Sequence, residues 1–296
     1  MFAIMGATGN TGRKVVEALL RQGEHVRAIT RDSLRAENLR ILGVEAVCAD
    51  PQDPTKLTEA FAGARAAFVM VPPYLTADDA WLESARVSRA IAHALRQAEV
   101  PHAVVLSSGG AHLASGAGII STLRDLETEL SQSGVRLTLL RAADFMENWG
   151  PLLPAVMADG SLPSVRSPLD GRFQAVSVAD IGRIAAERLR APLPNSTCIL
   201  NLVGPAEYSP EEAAAALERI LERPVRPVAV PVDTMIEMLR TYGVSGSYAL
   251  GLAEVYRGLN DGSIGFESGV GEFVRGTITL EDALREMLNP VDRKGK

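Results

Sequence analysis

The chain has 296 residues, 47% of them hydrophobic and 22% charged, a composition typical of a globular protein with a large core. Its 30 Lys and Arg residues against 36 Asp and Glu residues give a net charge of −6, and no basic cluster stands out, so we expect no direct contact with nucleic acid. The chain shows neither a secretory leader nor the roughly 18 consecutive apolar residues of a membrane span, so we expect a cytoplasmic protein without a membrane segment.

Short apolar runs alternate with amphipathic segments along the first half of the chain, which predicts a parallel sheet covered by helices. Strands are predicted at 2–5, 25–29, 45–48, 67–71, 103–106 and 137–140. Helices are predicted at 12–22, 80–97 and 123–131.

After Trp149 the pattern changes, because several prolines and glycines between 151 and 171 predict an irregular stretch. Beyond it, Asp180 is predicted to cap a helix, and Ser209-Pro210-Glu211-Glu212 has the sequence of a capping box. The elements predicted in this half are helices at 181–189, 232–242 and 280–288 and a strand at 198–203.

The only cysteines, Cys48 and Cys198, both lie in apolar runs predicted as strands. We expect them to be buried and reduced, as is usual for thiols in the cytoplasm.

A glycine-rich loop, Gly6-Ala7-Thr8-Gly9-Asn10-Thr11-Gly12, directly follows the first strand and directly precedes a helix. Glycines there allow a sharp turn and a close approach of backbone N–H groups to a pyrophosphate, and the helix N-terminus adds unpaired donors. The loop therefore predicts a dinucleotide site formed by Gly6, Thr8, Gly9, Asn10, Thr11 and Gly12. Arg13 and Lys14 follow in the first turn, where cations are unfavourable unless an anion is bound, so they indicate either a bound phosphate or solvated charges.

The end of the second strand indicates which dinucleotide is bound. NAD-binding domains place Asp or Glu there to hold the ribose hydroxyls, whereas this strand ends in Thr30-Arg31. The guanidinium of Arg31, with Arg35 as a second cation, suits the 2′-phosphate of NADPH. Asp32 could instead turn inward, and NAD is then the alternative cofactor.

These patterns predict an α/β protein with a Rossmann-type, doubly wound parallel sheet and a smaller C-terminal α/β lobe. The NAD(P)-binding domain is predicted over 1–150. The lobe, over 151–296, is predicted to pack on the carboxyl edge of the sheet and to serve a substrate or a partner.

Several segments together resemble the NmrA-like family of atypical short-chain dehydrogenases/reductases. The resemblance is carried by 6–12, Thr30-Arg31, Asp50-Pro51, Val71-Pro72-Pro73, 178–181 and, most specifically, Leu140-Arg141-Ala142-Ala143-Asp144-Phe145-Met146-Glu147-Asn148. Members of this family are NAD(P)H-dependent reductases of quinones or dyes, or redox-sensing regulators that bind the cofactor without turnover. The resemblance implies the same two alternatives for this chain.

The resemblance also implies roles for individual residues. Asp50 would lie near the adenine, and Val71 and Pro72 near the ribose and the nicotinamide. Ser107 and Ser108 would border the nicotinamide, while Phe145 and Asn148 would line the substrate side. The chain departs from the family at 125–130, where it lacks the basic residues that often flank the Glu-Thr-Glu-like segment.

The proton relay of many related dehydrogenases and epimerases is missing from its usual place. That relay is a Tyr-x-x-x-Lys pair after the fifth strand, in which the lysine lowers the pKa of the tyrosine. Here no Lys occurs between Lys56 and Lys294, and no Tyr between Tyr74 and Tyr208. This argues against an epimerase or a ketone reductase.

Hydride transfer remains feasible if the acceptor is electrophilic enough, such as a quinone or a cationic dye, because the reduced product then needs little protonation. We therefore predict an NADPH-dependent oxidoreductase acting on a quinone-like or other conjugated small molecule. The alternative is a redox sensor that acts through a protein partner. Ser108 is the best-placed hydroxyl for a developing oxyanion, although its segment also suits a plain turn at the strand end. Glu147 is interpreted as either a proton-transfer group or a hydrogen-bond partner of the backbone. The four histidines show no metal-binding spacing, so no metal is predicted.

Overall fold

The computed structural model describes residues 1–41 and 43–288. The strands are β1 (Phe2–Met5), β2 (Val26–Thr30), β3 (Glu45–Cys48), β4 (Ala66–Val69), β5 (His102–Ser108), β6 (Arg136–Ala142), β7 (Asp144–Phe145), β8 (Ser161–Ser164), β9 (Phe173–Val176), β10 (Cys198–Val203), β11 (Glu207–Tyr208), β12 (Arg226–Ala229) and β13 (Glu272–Arg275). The helices are α1 (Asn10–Arg21), α2 (Ser33–Ile41), α3 (Pro54–Phe61), α4 (Ala80–Gln97), α5 (Ser121–Ser131), α6 (Leu153–Asp159), α7 (Val178–Arg190), α8 (Pro210–Leu221), α9 (Val232–Thr241), α10 (Gly246–Asp261) and α11 (Leu280–Leu288). Among these residues, no helix has both the length and the hydropathy needed to cross a membrane.

Eight parallel strands form the central sheet, in the order β3-β2-β1-β4-β5-β6-β10-β13. The first six follow the order of a doubly wound dinucleotide-binding sheet, which confirms the predicted Rossmann-type fold. The chain builds outward from β1 in one direction and then, from β4, in the other. A crevice therefore opens where the carboxyl ends of β1 and β4 meet, and ligands of such sheets bind there.

Both faces of the sheet are covered by helices, as β1 illustrates. Its side chains alternate between the faces, so Phe2 and Ile4 belong to one apolar core and Ala3 and Met5 to the other. The first core includes residues of α1 and α7, and the second includes residues of α3, α4 and α5.

The second half of the chain contributes both to the sheet and to a separate core. Strands β10 and β13 extend the sheet beyond β6, so the sheet does not end at residue 150. A third apolar core contains residues of the 3-10 turn Met146–Leu152, α6, α8 and α11. The two-domain division at about residue 150 stays a prediction.

Several predicted elements match the structure to the residue, namely the strands at 2–5, 45–48 and 198–203 and the helices at 80–97 and 280–288. The capping box is confirmed as well: the Ser209 hydroxyl accepts from the N–H of Glu212, whose carboxylate accepts from the N–H of Ser209. Helices α2, α3, α6 and α10 and strands β7, β8, β9, β11, β12 and β13 were not predicted.

The prediction that Asp180 caps its helix is wrong. Ser177 is the N-cap of α7. Asp180 is buried and its Oδ2 accepts 2.9 Å hydrogen bonds from the N–H groups of Thr277 and Ile278, so it anchors the chain after β13.

The stretch 151–171 is more regular than predicted, since it contains α6 and β8. Pro154 lies in the first turn of α6, where no N–H is needed. Gly160 ends that helix in the left-handed region, with φ of 76°, and β8 follows.

The predicted burial of both cysteines is wrong. Cys48 is exposed at the end of the edge strand β3, and Cys198 is half-buried. Both are free thiols, as expected.

Candidate functional site

The glycine loop makes a tight turn between β1 and α1. Gly6 adopts a left-handed conformation, with φ of 62°, which favours glycine. Its carbonyl accepts a 2.8 Å hydrogen bond from the N–H of Gly9. A Cβ on Gly12 would overlap the Gly6 carbonyl, so Gly12 allows α1 to pack closely on β1.

Gly9 and the first turn of α1 form an open backbone cradle. Gly9 is the N-cap residue, and no side chain caps the helix there. The first N–H groups of a helix lack intrahelical partners, so donors at this end are available. Gly9 and Asn10 are exposed, whereas Thr11 and Gly12 are buried. This geometry fits a pyrophosphate, because a Cβ at Gly9 would stand on the exposed side and touch only the Gly6 carbonyl, at 3.3 Å.

Thr8 connects the loop to β2, since its Oγ1 lies 3.4 Å from the Oγ1 of Thr30. The two cations that follow the loop have other partners. Arg13 pairs with Glu17 at 2.9 Å and Lys14 with Glu286 at 2.8 Å. These ion pairs favour the interpretation of Arg13 and Lys14 as surface charges over their interpretation as phosphate ligands.

Arg31 and Asp50 follow neighbouring strand ends, because Thr30 of β2 lies beside Cys48 of β3. Both residues are exposed. Burial raises the pKa of the Tyr74 phenol, and the charges of Asp50 and Arg31 also act on it. Asp50 accepts a 2.9 Å hydrogen bond from the N–H of Gln52.

Asp32 does not replace Arg31. Its carboxylate accepts hydrogen bonds from the N–H groups of Leu34 and Arg35 at the start of α2, and it lies 3.4 Å from the Arg35 guanidinium. No carboxylate lies within ion-pair distance of Arg31 in the described part of the chain. Arg31 is therefore the free cation at this strand end.

Val71 and Pro72 are half-buried just after β4, the neighbour of β1. The preceding residue, Met70, lies against the loop, since a Cβ on Gly6 would be 2.9 Å from its Sδ. The segment thus borders the crevice beside the glycine loop.

The two serines at the end of β5 differ in their partners. Ser107 is buried and donates a 2.5 Å hydrogen bond to Glu127, which also binds Arg141 at 2.7 Å. Arg141 in turn binds Glu267 at 2.8 Å. Ser108 is half-buried, and its hydroxyl donates only to the adjacent carbonyl of Gly109. Ser108 is therefore the hydroxyl that can turn toward a ligand.

The predicted substrate side lies just beyond β6, at the same edge of the sheet as Ser108, which pairs with Ala142. Phe145 is half-buried in β7, and Asn148 is exposed in the turn that follows. The Asn148 amide donates a 2.6 Å hydrogen bond to Asp144, and burial raises the pKa of that carboxyl. Glu147 binds the Ser177 hydroxyl and the N–H of Val178, so it anchors α7.

Two residues of this region were missed from the sequence. The Arg166 guanidinium stacks on Phe173, 4.1 Å from the ring centroid, and Tyr256 and Asp144 are close enough to influence its pKa. Tyr256 comes from α10, where Asn260 bonds the backbone on both sides of Arg166. The sequence indeed has no tyrosine shortly after the fifth strand. In the folded chain, however, α10 brings Tyr256 close to Arg166. No local motif marks either residue.

A surface cleft between α3, α4 and α5 adjoins the Asp50 end of this region through Gln52. Its lining includes Gln52, Arg86, Arg89, His93 and Arg96. None of the predicted site residues lines it.

Comparisons with known proteins place this site in context. The chain is 28% identical over 257 residues to an NAD(P)H azoreductase of Xenophilus azovorans, covering 86% of each chain. It is 25% identical to quinone oxidoreductase 2 of Escherichia coli over 98% of this chain and 99% of that protein. Among solved structures, an NADPH-dependent quinone oxidoreductase of Escherichia coli in complex with NADPH superposes with a TM-score of 0.79 and 24% identity, covering 98% and 100% of the two chains.

The model of the NmrA-like family matches residues 1–272, nearly the whole described chain. This confirms the resemblance found in the loop at 6–12 and in the segment 140–148. The chain belongs to the NmrA-like family.

Proposed function

We propose that this protein transfers a hydride from NADPH to a conjugated, electrophilic acceptor of the quinone type without a Tyr/Lys relay. One observation carries the proposal. The uncapped N-terminus of α1 and the Ser108 hydroxyl lie at the same carboxyl edge of one parallel sheet, on either side of the β1–β4 crevice.

The class of the reaction is confirmed by the comparisons: the protein is an NAD(P)H-dependent oxidoreductase. The named relatives reduce azo compounds and quinones, which share a conjugated electrophile. The acceptor of this chain and the absence of a proton relay are our proposal.

The backbone of Gly9, Asn10 and Thr11 would hold the pyrophosphate, and Arg31 would meet the 2′-phosphate. Asp50 would lie at the adenine end, and Val71, Pro72 and the β5 end at Ser107 would border the nicotinamide. When bound, the nicotinamide supplies the hydride.

The remaining groups of the chain position the acceptor. Phe145 and Asn148 would form its wall. The Ser108 hydroxyl would turn from the Gly109 carbonyl and donate to an acceptor oxygen that gains negative charge. A quinone suits this site because conjugation stabilises the anion left by hydride addition, so proton transfer can follow from water.

Tyr256 does not supply the missing relay. A relay tyrosine needs a nearby cation that lowers its pKa to a useful range; Arg166 acts in that direction on Tyr256 but does not outweigh burial, and no lysine occurs between Lys56 and Lys294. Burial instead raises the pKa of Tyr256 well above its usual range, and Asp144 raises it further. Its phenol therefore stays protonated and holds its proton firmly.

The test is NADPH oxidation, followed by loss of the reduced nicotinamide's absorbance, with a panel of quinones, azo compounds, cationic dyes and simple aliphatic ketones. We expect turnover with the conjugated acceptors and, for ketones, rates lower by about 10²–10⁴-fold, the usual contribution of a positioned general acid. Efficient reduction of a ketone would contradict the relay-free mechanism. Tight NADPH binding without turnover of any acceptor would instead identify a redox sensor.

A further inference from the structure

The Arg166 guanidinium packs against an aromatic ring, and two of its nitrogens lack hydrogen-bond partners among the described residues. It stacks on Phe173 with its Cζ 4.1 Å from the ring centroid. Its Nε and Nη1 atoms are buried, and neither has a partner in the part of the chain that the structure describes. Buried donors without acceptors are destabilising. A guanidinium of this kind is retained more readily if a ligand accepts its unused hydrogen bonds.

The neighbouring carboxylate does not neutralise Arg166 by contact. Asp144 and Arg166 are not within 4.0 Å of one another, and Asp144 instead accepts the 2.6 Å hydrogen bond of Asn148. Burial raises the pKa of Asp144, while the charge of Arg166 acts in the opposite direction. The Tyr256 phenol is neutral, because burial raises its pKa well above the usual range. The unpartnered Nε and Nη1 atoms of Arg166 therefore leave this cluster able to bind an added anion.

The backbone holds this cluster beside the proposed acceptor wall. Asn260, one helical turn after Tyr256, donates to the carbonyl of Val165 at 2.8 Å and accepts from the N–H of Ser167 at 3.2 Å. On the other side, Asp144 of β7 pairs with Ala175 of β9, two residues after Phe173. Alternate residues of a strand share a face, so Phe173 and Ala175 present their side chains to the same side.

We propose that Arg166 binds an acidic substituent, a carboxylate or a sulfonate, carried by an aromatic acceptor. The planar guanidinium, held flat against the Phe173 ring, matches the oxygens of either group. This inference rests on the proposed function, of which it names the substrate class. It does not depend on the Ser108 hydroxyl.

The first arm of the test compares a naphthoquinone with the same quinone carrying a sulfonate, in the native protein and in Arg166→Gln. In the variant, kcat/KM for the sulfonated quinone should fall by about tenfold or more relative to the neutral quinone, because a charged hydrogen bond is lost. Comparing both acceptors in both proteins removes the effect of the sulfonate on quinone reactivity. Arg166→Lys, which keeps the charge, should retain more of the preference for the sulfonated quinone. This variant also tests the proposal if Arg166→Gln does not fold.

Arg172→Gln is the matched control. Arg172 lies on the same stretch of chain but is exposed and already bound to Glu207 and Glu212. Its variant should leave the ratio of the two acceptors unchanged. Equal losses in Arg172→Gln and Arg166→Gln, or an unchanged ratio in Arg166→Gln, would overturn the proposal.

The second arm measures binding without chemistry. Naphthalene sulfonate and naphthol are titrated calorimetrically into each protein, with and without NADP⁺. Tighter binding of the sulfonate that disappears in Arg166→Gln would support the inference, and equal binding in both proteins would refute it. If no quinone is turned over, the proposed function fails, while this titration still decides the role of Arg166.

Discussion

The proposed cofactor edge and the proposed acceptor edge of this protein are built in different ways. At the cofactor edge, seven consecutive residues, 6–12, form a cradle from backbone N–H groups, and glycines provide both its turn and its close packing. At the acceptor edge, side chains meet from three distant segments: Asp144 to Asn148, Arg166, and Tyr256 on α10. A backbone site needs a local sequence pattern, whereas a side-chain site of this kind needs the completed fold. The following variants probe that difference, from the largest expected effect to the smallest.

Replacing Gly9 by Val should abolish dinucleotide binding in a folded protein. The new side chain would stand on the exposed side of the loop, where the pyrophosphate must approach the backbone. Binding is measured by NADPH fluorescence titration and folding by circular dichroism. Gly246→Val is the control, because a Cβ there meets nothing within 4 Å and its backbone is not left-handed. Normal NADPH affinity in Gly9→Val would show that the loop is misassigned.

Arg31→Ala should weaken NADPH binding by about tenfold or more, since a charge-assisted contact typically contributes roughly 1.5–3 kcal/mol. NADH has no 2′-phosphate and should be affected much less. Arg35→Ala, which removes a cation already paired with Asp32, should have the smaller effect on NADPH. Equal losses for the two cofactors in Arg31→Ala would disprove the assignment.

Phe145→Ala and Asn148→Ala should mainly raise the Michaelis constant for a quinone, by a few-fold, because they remove wall contacts and leave the cofactor site intact. Asn148→Ala also frees Asp144 from its 2.6 Å hydrogen bond. Steady-state kinetics at saturating NADPH separates the two constants. A fall in kcat with an unchanged Michaelis constant would place these residues elsewhere in the mechanism.

Ser108→Ala should lower kcat modestly with a quinone, and the pH profile should be flat through neutrality in both proteins, because no tuned tyrosine takes part. Ser107→Ala should act differently. It leaves a buried acceptor, Glu127, with one partner fewer, so thermal stability should fall. A sharp basic limb in the native profile would reveal an unrecognised proton donor.

Asp144→Asn should make the protein's stability less dependent on pH. Burial raises the pKa of Asp144 above its ordinary value of 3.8, so the folded state holds this proton more firmly than the unfolded state. The stabilising contribution is thus complete below that value and is lost as pH rises through the folded-state pKa. Relative to the native protein, Asp144→Asn should gain free energy of unfolding on going from about pH 4 to neutrality, measured by urea denaturation. Parallel curves for the two proteins would contradict the raised pKa.

The sequence predicted what depends on local periodicity and on backbone geometry. The loop at 6–12, the strands at 2–5 and 198–203, and the place of Arg31 at the end of β2 could all be inferred before the fold was known, whereas the partners of the competing Asp32 could not. It did not predict Arg166 or Tyr256, because α10 lies beside the Arg166 segment only in the folded chain, where Asn260 bonds the carbonyl of Val165. Asp180 was misjudged for the same reason, since its partners lie almost a hundred residues further along the chain.

The most direct test of the account is a crystal structure of the protein with NADP⁺ and a quinone. We expect the pyrophosphate against the backbone of Gly9 and the adenosine 2′-phosphate at Arg31. The quinone should lie between Ser108 and Asn148, with a ring carbon about 3–3.5 Å from the nicotinamide carbon that carries the hydride. A quinone bound instead in the cleft lined by Arg89 and His93, or a dinucleotide that does not touch the loop at 6–12, would contradict it.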